Sequence, residues 1–402
     1  MILTTRNLLL SLFVLLLGYA SWRMYVHFFY TTPPTVEVQG IVSENYYRGN
    51  ISCVATVSSH ARVHALTITL DELSVLPKDT LCTSTAQPFI IASQAMNNGC
   101  HVLTVEAIDA TKHRNKSTVV IPFYVDNLPL QTAFARSEAE FKVPQGKTFH
   151  CVIAANKPLK NVLVKLFSRE FVAIRESAHT LLYECFVPIE CESKAGEYPF
   201  QVLINDFVGN HAELAAQLQV IPATFKRQIL HNIDTSKFEE ERKLGRSHKE
   251  LYDELARVAE QSPKNKLWQG TFYVPINSTW VACEFGAKRI SQERGCYTHA
   301  AIDMVGPMPH TVVWAPQDGI IAIKDRFEIT GNTIVIDHGC GVITLLCHLD
   351  QFADLAVGDK IRRGSPVGFT GKTGYATGDH LHWEMRVNNV QVDPMQWTKA
   401  DF

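Results

Sequence analysis

The chain has 402 residues, of which 46% are hydrophobic, and it carries 38 Lys and Arg against 40 Asp and Glu. This length predicts two to four domains, and the formal net charge of −2 lacks the basic footprint of a nucleic-acid-binding protein. A mean hydropathy of −0.02 excludes a polytopic membrane protein.

Residues 1–32 contain a nearly unbroken apolar run, Leu8–Trp22, preceded by Arg6. A basic residue ahead of such a run is typical of an export signal. Small residues up to Ala20 would permit cleavage there, whereas an uncleaved signal anchor would span Leu8–Tyr30. We favour the anchor because the apolar stretch continues past the cleavage position. Both interpretations place the rest of the chain outside the cytoplasm.

Export also bears on the ten cysteines, because disulfides are allowed in an oxidising compartment. The alternative is that several of them are small buried hydrophobic residues. No CxxC pair occurs, which argues against a zinc ribbon or a thioredoxin-type site.

Residues 35–222 are predicted to form two β-sandwiches, because short runs of alternating apolar residues are separated by Gly, Asn and Asp turns. An internal repeat divides the region: Gly99–Asp109 and Gly196–Asp206 frame similar strands at an offset of 97 residues. The repeat fits tandem domains at 35–128 and 129–222 and resembles bacterial Ig-like modules. We expect these domains to act as spacers or as docking surfaces for cell-wall or division proteins, since no catalytic cluster occurs in them.

Residues 223–265 are predicted to form a helical connector. A charged helix would run from Thr235 to about Gln261, with Ser262 and Pro263 ending it. Four apolar residues share one face of this helix at helical spacing, and they are Leu244, Leu251, Leu255 and Val258. We expect this face to pack on its own neighbours, because a two-stranded coiled coil would need more heptads.

Three histidine-containing motifs follow in the C-terminal part, and they are His299-Ala-Ala-Ile-Asp303, Cys347-His348-Leu349 and His380-Leu-His382. Two histidines that are two residues apart leave the same face of a strand. Two histidines and one carboxylate, with a water as the fourth ligand, form a catalytic zinc arrangement.

In their order and context these motifs resemble the M23 family of zinc peptidoglycan endopeptidases, also described as LytM or lysostaphin-like. The resemblance covers residues 266–402 and includes WQGTFYVP at 268–275, GNTIVIDH at 331–338 and ATGDHLHWE at 376–384. It implies a compact antiparallel β-sheet domain. The fold class predicted for the whole chain is therefore mainly β, with an N-terminal transmembrane or signal helix and a helical connector.

The resemblance also implies roles for five residues. His299, Asp303 and His382 would ligate Zn²⁺, while His348 and His380 would face the open side of the metal and act on water and oxyanion. All five positions are filled, which favours an active enzyme.

Two residues beside the ligands depart from the family pattern. Ala301 replaces the usual Gly, and Asp379 replaces the usual Pro and would be either an acceptor for an imidazole N–H or a solvated loop residue. Glu384 shares a strand face with the last two histidines, as an acceptor for an imidazole or in a buried ion pair. Cys296 and Cys347 lie beside the histidine motifs, and thiolates can bind zinc. A structural role for the cysteines, with Cys283 paired to Cys296, fits better.

The function implied is that of a zinc metalloendopeptidase, held in the cytoplasmic membrane by a single helix and exposed to the extracytoplasmic space. It would cleave cross-links or stem peptides of peptidoglycan. The alternative is a non-catalytic regulator that binds and activates a cell-wall amidase. Loss of ligand positions marks such regulators, and none is lost here.

Overall fold

A computed structural model of the chain describes residues 5–75, 86–229, 235–291, 295–400 and 402. The chain is mainly β and begins with an apolar helix, which confirms the predicted fold class. It divides into two compact units, Met1–Pro129 with Asp206–Asn210, and Leu130–Asn205 with His211–Phe402.

The N-terminal helix, α1, spans Thr5–Phe29. Its apolar side chains are exposed from Leu8 onward, and the segment Asn7–Phe29 is long and apolar enough to cross a membrane. A signal sequence has the same length and composition, so both interpretations fit. The last turn packs on the first unit: Val26 is buried, and His27 Nδ1 lies 3.1 Å from the Ala110 carbonyl oxygen.

The first sandwich consists of β1 (Thr35–Gln39), β2 (Tyr46–Tyr47), β3 (Asn50–Ser58), β4 (Val63–Leu70), β5 (Leu73–Ser74), β6 (Ala86–Ala92), β7 (Gly99–Asp109) and β8 (Lys116–Val125), with a 3₁₀ turn at Ser93–Ala95. One sheet has the order β1-β3-β6 and the other β2-β8-β7-β4-β5. Alternate residues of both sheets fill one core, including Cys53, Ile68 and Phe123.

The second sandwich consists of β9 (Thr132–Phe134), β10 (Lys142–Pro144), β11 (Thr148–Ala155), β12 (Leu159–Leu166), β13 (Arg169–Val172), β14 (Ile174–Arg175), β15 (Leu182–Pro188), β16 (Gly196–Asp206) and β17 (His211–Ile221), with a 3₁₀ turn at Glu138–Glu140. Its sheets have the orders β10-β17-β16-β12-β13 and β14-β15-β11-β9. Their shared core includes Cys151, Val164 and Phe200.

The internal repeat corresponds to one kind of hairpin turn. In the first copy Asn115 donates to Asp109, with Nδ2 to Oδ2 at 2.9 Å. In the second copy Asn210 donates to Asp206 through the same atoms at 2.6 Å. The aspartate side chain closes both turns, which explains why Asp recurs at the repeat offset.

The connector differs from the single helix that was predicted. It contains a strand, β18 (Arg227–Ile229), and two helices, α2 (Thr235–Leu244) and α3 (His248–Gln261). The break has two causes. A Cβ on Gly245 would lie 2.6 Å from the Phe327 backbone, and Ser247 caps α3 with a capping box.

The break also changes which connector residues are buried. Leu244 is 63% exposed, so it does not share the apolar face that was predicted. Leu251 and Leu255 are buried against the C-terminal sheet, in one cluster with Val335 and Leu345.

The C-terminal part contains β19 (Trp280–Cys283), β20 (Ala287–Ser291), β21 (Gly295–His299), β22 (Ile302–Val305), β23 (Val312–Trp314), β24 (Gly319–Phe327), β25 (Gly331–Asp337), β26 (Val342–Leu349), β27 (Gln351–Phe352), β28 (Lys360–Ile361), β29 (Pro366–Phe369), β30 (Leu381–Val387), β31 (Val390–Val392) and α4 (Pro394–Trp397). The main sheet has the order β19-β22-β30-β26-β25-β24-β28, with β31 beside β30. Smaller sheets are β18-β20-β21 and β23-β29-β27.

The second sandwich and the C-terminal part share a buried cluster within their unit. Phe186 of β15 lies with Trp268 and Trp397 in this cluster. The side chain of Gln396 adds two hydrogen bonds to the backbone of Thr148, at 2.7 and 2.9 Å. The second sandwich is therefore packed onto the C-terminal part by buried aromatic side chains and by side-chain hydrogen bonds.

Candidate metal centre

Three strands from two sheets bring together the residues predicted to ligate a metal. His299 ends β21, Asp303 lies on β22 and His382 lies on β30. Asp303 and His382 are directly opposite each other in the antiparallel β22–β30 pair. Side chains of directly opposed residues leave the same face of a sheet, so this register sets carboxylate and imidazole side by side.

The donor atoms of these three side chains converge on one point. Asp303 Oδ1 lies 3.1 Å from His299 Nε2 and 2.9 Å from His382 Nδ1, and the two nitrogens are 3.3 Å apart. Zinc bonds of about 2.0–2.1 Å would place tetrahedral ligand atoms about 3.3 Å apart. The donor set and its spacing therefore fit a zinc ion.

Electrostatics keep the carboxylate ionised. Burial by itself would raise the pKa of Asp303, but hydrogen bonds with His299 and His382 outweigh it and hold that pKa well below its usual range. Burial lowers the pKa of His299, so its imidazole is neutral and has a lone pair available. An ionised carboxylate and a neutral imidazole are the forms in which these groups bind metals.

The two remaining histidines border the same point. The ring of His348 lies 4.8 Å from that of His380 and 5.6 Å from that of His382, measured between centroids. His348 Nδ1 is 2.8 Å from the Thr373 carbonyl oxygen, and His380 Nδ1 is 2.9 Å from that of Gly378. A backbone acceptor at Nδ1 leaves Nε2 of each ring as the nitrogen available for chemistry.

His348 has an unusual backbone conformation, with φ at +62°. Non-glycine residues rarely adopt the left-handed conformation, and those that do cluster at functional sites. Burial, followed by the neighbouring His380 and His382, holds the pKa of His348 well below its ordinary value. Its imidazole is therefore neutral and able to accept a proton.

Glu384 forms the buried ion pair considered for it, with Arg386, and lies too far from the His382 ring to accept a hydrogen bond from it. Its Oε2 is 3.9 Å from His382 Nε2, and its Oε1 accepts from Arg386 Nε at 2.5 Å. The guanidinium of Arg386 in turn lies 4.6 Å from the ring of Tyr252 on α3.

Two further residues, Arg289 and Gln228, reach the site and were not predicted. Arg289 Nη2 donates to Asp303 Oδ2 at 2.8 Å, and Arg289 Nε donates to Gln228 Oε1 at 3.0 Å. No motif or spacing in the sequence marks either residue as part of the site.

The predicted pairing of Cys283 with Cys296 was wrong. Cys283 and Cys296 are both free thiols, like the other cysteines that the structure describes, and Cys82 lies outside the described residues. Cys283 is buried on β19 whereas Cys296 is exposed on β21. Burial raises the pKa of Cys283 to about 11, and its sulfur lies within 4.8 Å of donor atoms of His299 and Asp303. It borders the site but remains a protonated thiol.

Asp379 is a partly exposed loop residue, which is one of the two roles predicted for it, and its hydrogen bonds go to partners other than an imidazole ring. Its carboxylate accepts hydrogen bonds from Thr370 Oγ1 at 2.6 Å and from the backbone N–H of His310 at 3.2 Å. It therefore ties together two loops near the site. Ala301 is buried, with 1% of its surface exposed.

Comparisons with known proteins identify the family that the C-terminal part resembles. The model of Peptidase family M23 matches residues 297–394, which confirms the resemblance of the C-terminal part. The DD-carboxypeptidase/endopeptidase Mpg of Neisseria meningitidis serogroup B is 36% identical over 144 residues, 36% of this chain and 31% of that protein. The murein hydrolase activator EnvC of Escherichia coli is 30% identical over 94 residues, 23% of this chain and 22% of that protein.

The matched segments thus span less than a third of these relatives. Among solved structures, a zinc containing peptidase from Vibrio cholerae is 14% identical, with a TM-score of 0.31 and coverage of 76% of this chain and 82% of that one.

Proposed function

The chain carries a peptidase M23 domain at residues 297–394, and from this premise we propose that it is a zinc-dependent endopeptidase that hydrolyses peptide cross-links or stem peptides of bacterial peptidoglycan. The convergence of His299, Asp303 and His382 supports this proposal most strongly. Their three donor atoms lie within 3.3 Å of one another, which suits a zinc site with three protein ligands and one open position. A zinc ion bound there would polarise the scissile carbonyl and lower the pKa of a water toward ~7.

His348 and His380 carry the proton transfers in this proposal. Each ring is oriented by a backbone carbonyl at Nδ1, which leaves Nε2 available for proton transfer, and His380 Nε2 lies 3.7 Å from Asp303 Oδ1. A neutral His348 accepts a proton from the attacking water at Nε2 and passes it to the amine that leaves when the C–N bond breaks, while His380 lies beside the position of the oxyanion that develops on the substrate carbonyl. The negative charge of Glu384, 3.9 Å from His382 Nε2, lies on the side of this ring away from Asp303.

We place this reaction outside the cytoplasm, where peptidoglycan lies. Helix α1 would hold the chain in the cytoplasmic membrane as a single-pass anchor, or would direct export if it is cleaved. The first sandwich would act as a spacer or as a docking surface for cell-wall or division proteins.

A second function, amidase activation without catalysis, is favoured by the likeness to EnvC. The filled ligand positions argue against it. The two functions differ in whether the purified protein itself cleaves sacculi.

The test combines elemental analysis with sacculus digestion, using the full chain in detergent. Asp303→Ala should lose zinc, because one of only three protein ligands is removed. His348→Ala and His380→Ala should keep zinc but lose most of the turnover. His179→Ala, which alters an exposed histidine of the second sandwich, is the matched control and should change neither.

Two outcomes would refute the assignment. The ligand set is wrong if Asp303→Ala still holds one tightly bound zinc. The catalytic function is wrong if the zinc-loaded wild-type protein releases no peptide fragments from sacculi yet stimulates an added amidase.

A further inference from the structure

The two oxygens of the Asp303 carboxylate have different partners, because a partly buried arginine, Arg289, binds one of them. The side chain of Arg289 is 18% exposed, and its Nη2 donates to Oδ2 at 2.8 Å. The other oxygen, Oδ1, is the one that approaches His299 and His382. The guanidinium thus occupies one oxygen and leaves the other directed at the metal position.

Such a contact has a physical consequence for a metal ligand. A free carboxylate can rotate and bind a metal through either oxygen or both, and ordering it costs conformational entropy. A charge-assisted hydrogen bond to one oxygen fixes the orientation before the metal arrives. Hydrogen-bond partners of this kind commonly contribute 10–100-fold to metal affinity.

The arginine is itself held by the connector. Strand β18 pairs in parallel with β20, and Gln228 lies opposite Arg289 in that register. Gln228 Oε1 accepts from Arg289 Nε at 3.0 Å. Because Nε and Nη2 belong to one rigid plane, fixing the first sets the direction of the second.

The connector strand is anchored close to this contact. Gly286 has a φ of +80°, and a Cβ on it would lie 2.1 Å from the Phe225 ring, so the ring packs where only glycine leaves room. The Lys288 N–H donates to the Lys226 carbonyl at 2.8 Å. The strand that carries Gln228 is therefore fixed next to the metal centre by packing and by backbone hydrogen bonds.

We propose that Gln228 and Arg289 are positioning residues of the metal centre: Gln228 orients the guanidinium, and the guanidinium holds Asp303 so that Oδ1 faces His299 and His382. The connector then forms part of the metal site and is more than a linker. This inference rests on the proposed function, since it concerns the ligand carboxylate of that same site.

The experiment measures zinc affinity by competition with a chelator, using the full chain in detergent. Arg289→Met should weaken zinc binding 10–100-fold. Gln228→Ala should weaken zinc binding less, by several-fold, because the guanidinium remains but loses the hydrogen bond that orients it. Gln228→Glu keeps the acceptor for Nε and should restore an affinity at least equal to that of the wild type.

Lys226→Ala is the matched control. Lys226 lies two residues from Gln228 and makes an exposed pair with Glu284, with side chains 71% and 53% exposed. Its removal leaves the backbone pairing of β18 in place, so zinc affinity should not change. Spectra of the cobalt-loaded protein give a second measure, since a reoriented carboxylate shifts the visible bands of Arg289→Met and Gln228→Ala but not of Lys226→Ala.

The proposal is overturned if Gln228→Ala and Arg289→Met, folded as the wild type is, bind zinc within twofold of it. If Arg289→Met does not fold, the contrast between Gln228→Ala and Gln228→Glu decides alone, and equal affinities refute the proposal. Asp303→Ala separates the two levels of inference. Zinc retained in that variant refutes the ligand assignment itself, whereas zinc lost there but unchanged in the Gln228 variants refutes only the positioning role.

Discussion

The two sandwiches share a hairpin turn and a similar size, but they differ in what covers their outer faces. Among the residues that the structure describes, the core of the first sandwich takes its members only from 36–125. In the second sandwich, β15 is buried on both faces from Tyr183 to Pro188. Alternate side chains of β15 enter its own core, while Phe186 joins the aromatic cluster of the C-terminal part.

This difference separates two roles that the sequence repeat suggested were the same. A domain whose core contains only its own residues is suited to be a spacer, because its removal would not expose the core of another domain. The second sandwich instead completes the packing around Trp268 and Trp397. We therefore expect the second sandwich to be needed for stability of the peptidase part, and the first to be dispensable for it.

The largest effect is expected when one buried phenylalanine in each sandwich is replaced by alanine. Phe186 has ring centroids 5.7 Å from both Trp268 and Trp397, and Phe123 is fully buried in the first core. Either change to alanine should cost about 3–5 kcal/mol. The loss should reach the peptidase part only for Phe186→Ala, as seen by hydrogen exchange and by the temperature at which sacculus hydrolysis fails.

Equal effects of the two variants on that temperature would contradict the comparison. So would faster hydrogen exchange of β22 and β30 in Phe123→Ala. If Phe186→Ala changes neither hydrogen exchange nor the temperature at which hydrolysis fails, the aromatic cluster does not stabilise the peptidase part.

A smaller loss of stability is expected when one ion pair in each sandwich is broken. Glu184 is paired with Lys266 at 2.6 Å, with side chains only 5% and 15% exposed, and it also contacts His150 at 3.1 Å. Removing one partner of such a buried pair costs roughly 3 kcal/mol or more, because the other charge stays buried. The corresponding change in the first sandwich is Glu106→Ala, whose partner Lys116 is 54% exposed, and it should cost at most about 1 kcal/mol.

Chemical denaturation of Glu184→Ala and Glu106→Ala measures the contrast. The double variant Glu184→Leu with Lys266→Met removes both charges and should recover much of the loss. If Glu184→Ala unfolds no more easily than Glu106→Ala, the pair does not hold the second sandwich to the C-terminal part.

Part of this architecture could be predicted from sequence because it is encoded locally. The capping box that begins α3, Ser247 with Glu250, has a short sequence signature that was overlooked. The run from Tyr183 to Pro188 alternates poorly in polarity, as expected of a strand buried on both faces. The repeated aspartate predicted the turns correctly because an Asx turn depends on neighbouring residues alone.

The remaining features depend on pairings between distant parts of the chain. All five candidate histidine and aspartate residues were identified through motif order, and the structure brings them together. Gln228 and Arg289 meet only because β18 pairs with β20, and no local pattern specifies a parallel partner. The free state of Cys283 and Cys296 likewise follows from their different burial in the sheets and not from their spacing.

The smallest expected effect is a difference in the sign of pH dependence between the sandwiches. Burial, together with the charges of Arg136 and Lys266, lowers the pKa of His150 from its ordinary 6.5 in spite of Glu184. The unfolded chain then binds a proton that the folded one does not. The stabilisation is therefore complete above about pH 6.5 and is lost as the pH falls below it.

His101 in the first sandwich should respond in the opposite direction. Burial would lower its pKa, but the hydrogen bonds to Asp71 and to the Asn97 carbonyl outweigh burial and raise it above 6.5. The folded state binds the proton more tightly, so the stabilisation is present below pH 6.5 and is lost as the pH rises through the folded pKa. Unfolding measured at pH 5.5 and 7.5 should show that His150→Gln reduces the acid sensitivity of the second unit. His101→Gln should remove a stabilising effect of acid on the first, and the same sign for both histidines would refute the distinction.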